Sequence, residues 1–242
     1  KKNIFHFRID RNNIHQISFF LKNNYFDIIF DNIAYKVSDV KKLLKQINNN
    51  FDTYFFTSTI IAKFINKKSY NLLKRNYSRS EITYGMNKFK IENFLRGKKL
   101  NNLRILRPYS VFGANDFSNK TKEILGTSVI DIKRYQIMQK DKIQFIYEND
   151  LVKIIYYLIK NYKKKPFKIL EIGNDPIIFK EFNKMCSLEK KIINRKKYPF
   201  PLNLTSSNNK LKNIISFKLS EVNSIVKNVN KKLLKLKYNK LN

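Results

Sequence analysis

Phe26-Asp27-Ile28-Ile29-Phe30, the run Ser38 to Asn49, and Thr53-Tyr54-Phe55-Phe56 decide the fold of this chain between them. The first and third are short, almost unbroken apolar runs, as expected of strands buried on both faces. Between them Val40, Leu43, Leu44 and Ile47 fall at i, i+3, i+4 and i+7, one face of a helix, with Ser38 as a suitable N-cap. A strand, a helix and a strand of this length make a parallel pair joined by a crossover.

The alternation continues on either side of these runs. Asn12 to Lys22 reads as a helix through Ile14, Ile17 and Leu21. Asn102-Leu103-Arg104-Ile105-Leu106 and Phe167-Lys168-Ile169-Leu170-Glu171-Ile172 read as two further strands. Asp150 to Asn161 is amphipathic, with Leu151, Ile154, Ile155 and Leu158 on one side. Lys191 to Asn209 is polar, carries Pro199 and Pro201, and reads as a loop. A last helix starts near Ser220 with Val222, Ile225, Val226, Val229 and Leu233 facing inward and a solvated lysine-rich face opposite. The expected class is α/β, a parallel sheet covered on both faces.

The bulk numbers exclude several functions. A chain of 242 residues with 43% hydrophobic content supports one sizeable core. No apolar run approaches the ~20 residues that cross a bilayer, and Lys1 to Asp10 lacks the apolar stretch of a secretory signal. Cys186 is the only cysteine, so no internal disulfide can form. With His6 and His15 the only histidines, no structural zinc site and no other metal is expected. A soluble, cytoplasmic protein is the expectation. The net charge of +32 would attract polyanions. It is mostly lysine, however, and lysine accompanies abundant Asn, Ile, Phe and Tyr, as A/T-rich codon usage would produce. Arginine, the better bidentate partner for phosphate, is scarce.

Three segments carry candidate chemistry: Thr57-Ser58-Thr59 at a strand end, Tyr84-Gly85-Met86-Asn87-Lys88 opening a helix, and Leu106-Arg107-Pro108-Tyr109-Ser110-Val111-Phe112-Gly113 leaving the next strand. In a chain with 14 Tyr and so much Lys, Tyr-x-x-x-Lys should occur about two or three times by chance. Tyr70/Lys74, Tyr84/Lys88 and Tyr156/Lys160 all have that spacing. Only Tyr84 follows a strand-terminal hydroxyl cluster and precedes the Leu-Arg-Pro strand. Tyr156 reads as a packing residue, and Tyr70 lies in a polar connection. Four residues apart on a helix, Tyr84 and Lys88 share a face. A free phenol titrates near ~10, and a nearby ammonium stabilises the phenolate. Tyr84 is therefore a candidate acid/base, Lys88 its electrostatic partner, and Thr59 a hydrogen-bond partner for the same substrate oxygen.

These segments resemble the Ser-Ser-Ser/Thr, Tyr-x-x-x-Lys and Leu-Arg-Pro-x-x-Val-Tyr-Gly signatures of the extended short-chain dehydrogenase/reductase group, and in particular NAD-dependent epimerases/dehydratases. Arg8-Ile9-Asp10-Arg11 is similar to the strand end by the adenine. Asp27 to Ala34 is similar to the strand and loop beneath the cofactor. Glu92 follows Lys88 by four, as is common in the group. Ile143 to Val152 looks like its strand-plus-Asp element, and Ile172-Gly173-Asn174-Asp175-Pro176 like the strand end leading to the last lobe. The likeness spans residues 3 to 185.

The resemblance implies a Rossmann-like doubly wound sheet that lacks its first βαβ elements, plus a small C-terminal substrate lobe. The core would take 1–115 and 143–175, and the lobe 116–142 and 176–242. It implies catalytic Thr59, Tyr84 and Lys88. It places Asp10, Arg11, Asn32, Ile33, Ala34, Thr57, Lys88, Pro108 and Ser110 along NAD or NADP, with a nucleotide-linked sugar as substrate and a homodimer as assembly. Two departures stand out. Gly85, Gly97, Gly113, Gly126 and Gly173 form no G-x-x-G-x-x-G, which implies a missing upstream segment of roughly 50 residues before the strand that Asn3 to Arg8 resembles. The arginine that meets a diphosphate in many sugar-nucleotide epimerases is replaced by the run Lys142, Ile143, Gln144, where Lys142 could act only as a point charge. Gln144-Phe145-Ile146-Tyr147 instead resembles the chloroplast stem-loop-binding subgroup, in which this fold is associated with RNA. An RNA-binding protein and an inactive scaffold on the same fold are the alternative readings.

Overall fold

A computed structural model describes residues 4–11, 13–21, 24–47, 50–65, 68–98, 100, 102–115, 121, 140–186 and 201–238. Four strands, β1 (Phe26–Asp31), β2 (Phe51–Thr57), β3 (Leu103–Pro108) and β7 (Ile169–Ile172), form one sheet in the order β1-β2-β3-β7, every neighbour parallel. Between β3 and β7 in the chain come β4 (Val111–Phe112), β5 (Lys142–Ile143) and β6 (Ile146–Tyr147); β8 (Ile177–Ile178) follows. β4 pairs with β6 in parallel and β5 with β8 antiparallel. Among the described residues the helices are α1 (Ile14–Leu21), α2 (Val37–Ile47), α3 (Tyr70–Asn76), α4 (Arg79–Gly97), α5 (Glu148–Lys160), α6 (Phe179–Cys186), α7 (Asn209–Ile214) and α8 (Val222–Tyr238), with a short 3-10 helix at Ile60–Phe64.

Strand alternation explains why helices cover both faces. Tyr54, Phe56 and Ile105 point into a cluster with Ile17 and Leu21 of α1, Val40 and Ile47 of α2, and Ile91 and Leu95 of α4. Their strand neighbours Phe55 and Leu106 point the other way, into a cluster with Ile154 and Leu158 of α5 and Leu211 and Ile214 of α7. A further core joins Phe112 and Phe145 to Phe179 and Phe182 of α6 and to Ile225, Val226 and Val229 of α8. The expected α/β class with a covered parallel sheet is thus present. The proposed lobe at 116–142 falls largely outside the described residues, as do 187–200 of its second part.

Several local expectations are corrected. Residues 4–9 form no strand; Ile4, Phe5 and Phe7 are exposed, and among the described residues β1 pairs with β2 and not with this segment. Ser38 lies inside α2, and the cap comes from Asp39, whose carboxylate accepts the Tyr35 and Lys36 N–H groups. Tyr70 lies in helix α3, held by the buried Leu73, not in a polar connection. Tyr156 is exposed, not packed. Tyr84 sits beyond the first turn of α4: Ser78 and Glu81 form a capping box that starts the helix earlier.

Gly85 lets α4 approach the 3-10 helix. A Cβ there would meet the Ile61 side chain, with Ile61 Cβ at 2.9 Å. Gly85→Ala should therefore destabilise the fold by about 1–3 kcal/mol, read as a lower thermal midpoint.

Candidate active site

The site forms where β1, β2 and β3 end, the edge of a parallel sheet at which ligands of such folds bind. β2 ends at Thr57, and Ser58 and Thr59 lead into the 3-10 helix. The Thr59 hydroxyl accepts the Ile61 N–H at 3.4 Å and so caps that helix, leaving its own proton uncommitted to this bond. Ile61 packs on Gly85, next to Tyr84, so the elements carrying Thr59 and Tyr84 touch.

Lys88 lies on α4, only 2% exposed, and donates to the Thr57 carbonyl at 2.8 Å. Its ammonium stands 4.9 Å from the Phe56 ring centroid and 5.6 Å from that of Tyr84. The other two Tyr-x-x-x-Lys pairs show similar ring contacts, at 4.8 Å for Lys74 and 5.7 Å for Lys160, but both of those lysines are exposed. Burial against a strand end therefore singles out Lys88. Burial also pulls its pKa down to about 8, against an opposing pull from Asp31.

Tyr84 is half-buried, and its ring lies 5.8 Å from that of Tyr35. Burial, then the Tyr35 phenol, push its pKa above the ordinary value of 10.0. This is opposite to the depression expected from Lys88 alone: the ammonium faces the ring, and desolvation wins. In this state Tyr84 is a protonated phenol at neutral pH.

The remaining expected cofactor residues divide. Thr57, at the end of β2, has a buried hydroxyl oxygen with no hydrogen-bond partner among the described residues. Pro108 and Ser110 are half-buried at the end of β3, where the Ser110 carbonyl accepts the Ile146 N–H. Ala34 is buried, whereas Asn32 and Ile33 are exposed. Asp10 is exposed, and its N–H donates to the Gln16 side chain. Arg11 is engaged by protein: it donates through both terminal nitrogens to Asp31, each at 3.2 Å.

Asp31 was missed in the sequence as a site residue. It also accepts the Tyr54 hydroxyl at 2.8 Å and the N–H groups of Ile33 and Ala34. Burial raises its pKa, but the bonds from Arg11 and Tyr54 outweigh it and hold the carboxyl below 3.8. Its stabilisation is therefore complete above the unfolded carboxylate range and lost as pH falls toward the folded value. Asp31→Asn should cost about 2–4 kcal/mol near neutrality, with the gap to the parent protein closing in acid; melting curves against pH read both.

In the substrate half, Gln144 is buried and committed. Its amide donates to the Asn174 and Ser206 carbonyls, and its oxygen accepts the Ser206 N–H. Lys142 is exposed on β5. A cavity of about 710 Å³ opens between Asn174–Asp175 and the segment from Lys212 to Val222, and none of Thr59, Tyr84 and Lys88 lines it. Among the described residues no helix is long and apolar enough to cross a membrane, and no group of three metal-ligating side chains gathers.

No sequence family matches the chain, and no curated protein matches it. Solved structures do. L-threonine dehydrogenase from Clostridium difficile superposes with a TM-score of 0.59 at 14% identity, covering 94% of this chain and 82% of that one. UDP-N-acetylglucosamine 4-epimerase from Bacillus cereus gives 0.57 at 15%, covering 96% and 88%. UDP-glucuronic acid 4-epimerase from Bacillus cereus, solved with NAD and a substrate analogue, gives 0.60 at 14%, covering 95% and 81%. The chain shares the fold of these three enzymes.

Proposed function

We propose that the chain is an NAD- or NADP-linked enzyme of the epimerase/dehydratase type acting on a nucleotide-linked sugar. The observation that carries this reading is Lys88: a buried ammonium fixed to the Thr57 carbonyl beneath Tyr84 at a strand-end crevice. A structural lysine has little reason to sit there, since burying its charge is costly. The neighbours include two sugar-nucleotide epimerases, one solved with NAD, which favours that substrate class.

The residues present fit the nicotinamide-ribose end of a dinucleotide. The Thr57 hydroxyl, unpartnered among the described residues, and the Lys88 ammonium offer hydrogen bonds there. The described glycines offer no pyrophosphate cradle, and Arg11 is held by Asp31, so the assignment is confined to that end. When bound, the nicotinamide would supply a hydride acceptor and a positive charge. Tyr84, a phenol in the state described, would first lose its proton to solvent under that added positive charge; as the phenolate it would take the proton of the substrate hydroxyl at its oxygen and return it in the reverse step. Thr59 would donate its free proton to the reacting oxygen and hold it in line. Lys88 would steady the phenolate while it carries a charge, which it does below a pH of about 8.

The test incubates the full chain with NAD or NADP and with UDP-N-acetylglucosamine or UDP-glucuronate, following epimer formation and 340-nm absorbance. Epimer formation or stoichiometric reduced cofactor is expected. No conversion of either sugar with either cofactor would refute the sugar-nucleotide assignment.

A further inference from the structure

The three segments that supply the candidate site converge on one buried carboxylate. Glu92 lies one turn beyond Lys88 on the same face of α4 and is 0% exposed. Its Oε1 accepts the Ser58 hydroxyl at 2.5 Å and Arg107 Nε at 2.9 Å, and its Oε2 accepts the Arg107 terminal nitrogen at 2.5 Å. Ser58 stands between Thr57, which holds Lys88, and Thr59. Arg107 immediately precedes Pro108. The tie runs on to β7, where Glu171 lies 3.9 Å from Arg107 and takes Lys63 of the 3-10 helix at 2.7 Å. Stability alone gives this arrangement little purpose: a buried ion pair can often be exchanged for apolar side chains without loss. A two-pronged Arg–carboxylate contact instead fixes direction and distance.

We propose that Glu92 is a positioning residue: with Arg107 and Ser58 it sets the placement of Lys88 and Thr59 relative to each other, without touching substrate or cofactor. This rests on the reading of Thr59, Tyr84 and Lys88 as the reacting set. The sequence holds the same logic. Lys88 and Glu92 are four apart on one helix, Ser58 is flanked by two site residues, and Arg107 is the one charge in the stretch Ile105 to Pro108.

The test uses the full chain carrying Glu92→Met with Arg107→Met, which removes both charges together and leaves the net charge unchanged. The deciding readout is the pH midpoint of amine acylation at Lys88, followed peptide by peptide by mass spectrometry. In the parent protein that midpoint is expected near 8. In the double variant it should move toward the ordinary 10.5 as Lys88 loosens into solvent. The thermal midpoint should stay within about 5 °C. A fall in kcat of about 10–100-fold, with KM within about 3-fold, should accompany the shift. Should the double variant fail to fold, Ser58→Ala, which cuts a single bond, is read the same way. A Lys88 midpoint unmoved in a folded variant overturns the proposal, whatever turnover does. Absence of turnover in the parent protein, or turnover unaffected by Tyr84→Phe, removes the functional reading and leaves the Lys88 result standing.

Discussion

Replacing Tyr84 with Phe should lower turnover by about 10³-fold and leave cofactor affinity within about 3-fold. The argument is local. The Tyr84 oxygen has no hydrogen-bond partner among the described residues, so its loss should barely move the thermal midpoint. The ring keeps its contacts with Tyr35 and with the Lys88 ammonium. What disappears is the oxygen proposed to accept and return a proton. Steady-state turnover, cofactor titration by fluorescence and a melting curve separate these effects. Undiminished turnover would strip Tyr84 of its role; a collapsed melting curve would show that the phenol serves the fold.

The parts of the structure legible in the sequence are those whose cause is local. Phe26–Asp31 and Phe51–Thr57 announce themselves as apolar runs because both faces of these strands are covered. The contact between Tyr84 and Lys88 was legible because a spacing of four on a helix is a geometric statement, although Tyr70/Lys74 and Tyr156/Lys160 make the same contact. The failures have non-local causes. Residues 4–9 carry a strand's composition, but a strand needs a partner to bond to, and composition does not supply one. Arg11 and Asp31 are 20 positions apart, and an ion pair across two segments leaves no periodicity to read. Glu92 was visible as a residue, but its meeting with Ser58 and Arg107 depends on how α4 lies across the ends of β2 and β3. The phenol of Tyr84 was expected to be lowered because spacing reveals the ammonium and hides the burial. Charge could be counted from the sequence, whereas desolvation could not.

That burial sets up the second large effect. Lys88→Met should lose at least about 10²-fold in turnover and yet melt higher than the parent protein. The fall of the Lys88 pKa from 10.5 to about 8 means that the fold disfavours the charged form, by an upper bound of roughly 3 kcal/mol. Methionine keeps most of the stem packing and removes the charge, but it gives up the bond to the Thr57 carbonyl. A net gain of about 1–2 kcal/mol is expected, a rise of roughly 2–8 °C for a chain of this length. The pH dependence fixes the sign. Below about 8 Lys88 is charged in both folded and unfolded chains, and the penalty is full. Between 8 and 10.5 the unfolded chain binds the proton that the folded chain has released, so the parent protein gains stability as pH rises. The variant lacks that gain, and its advantage should shrink through this window and reverse above it, where only the lost Thr57 bond separates the two proteins. A stability difference independent of pH would mean that packing, not charge, separates the two proteins. A variant that melts lower at neutral pH would mean that the Thr57 bond outweighs desolvation, and that Lys88 holds the fold together where the present reading has the fold strained to hold Lys88.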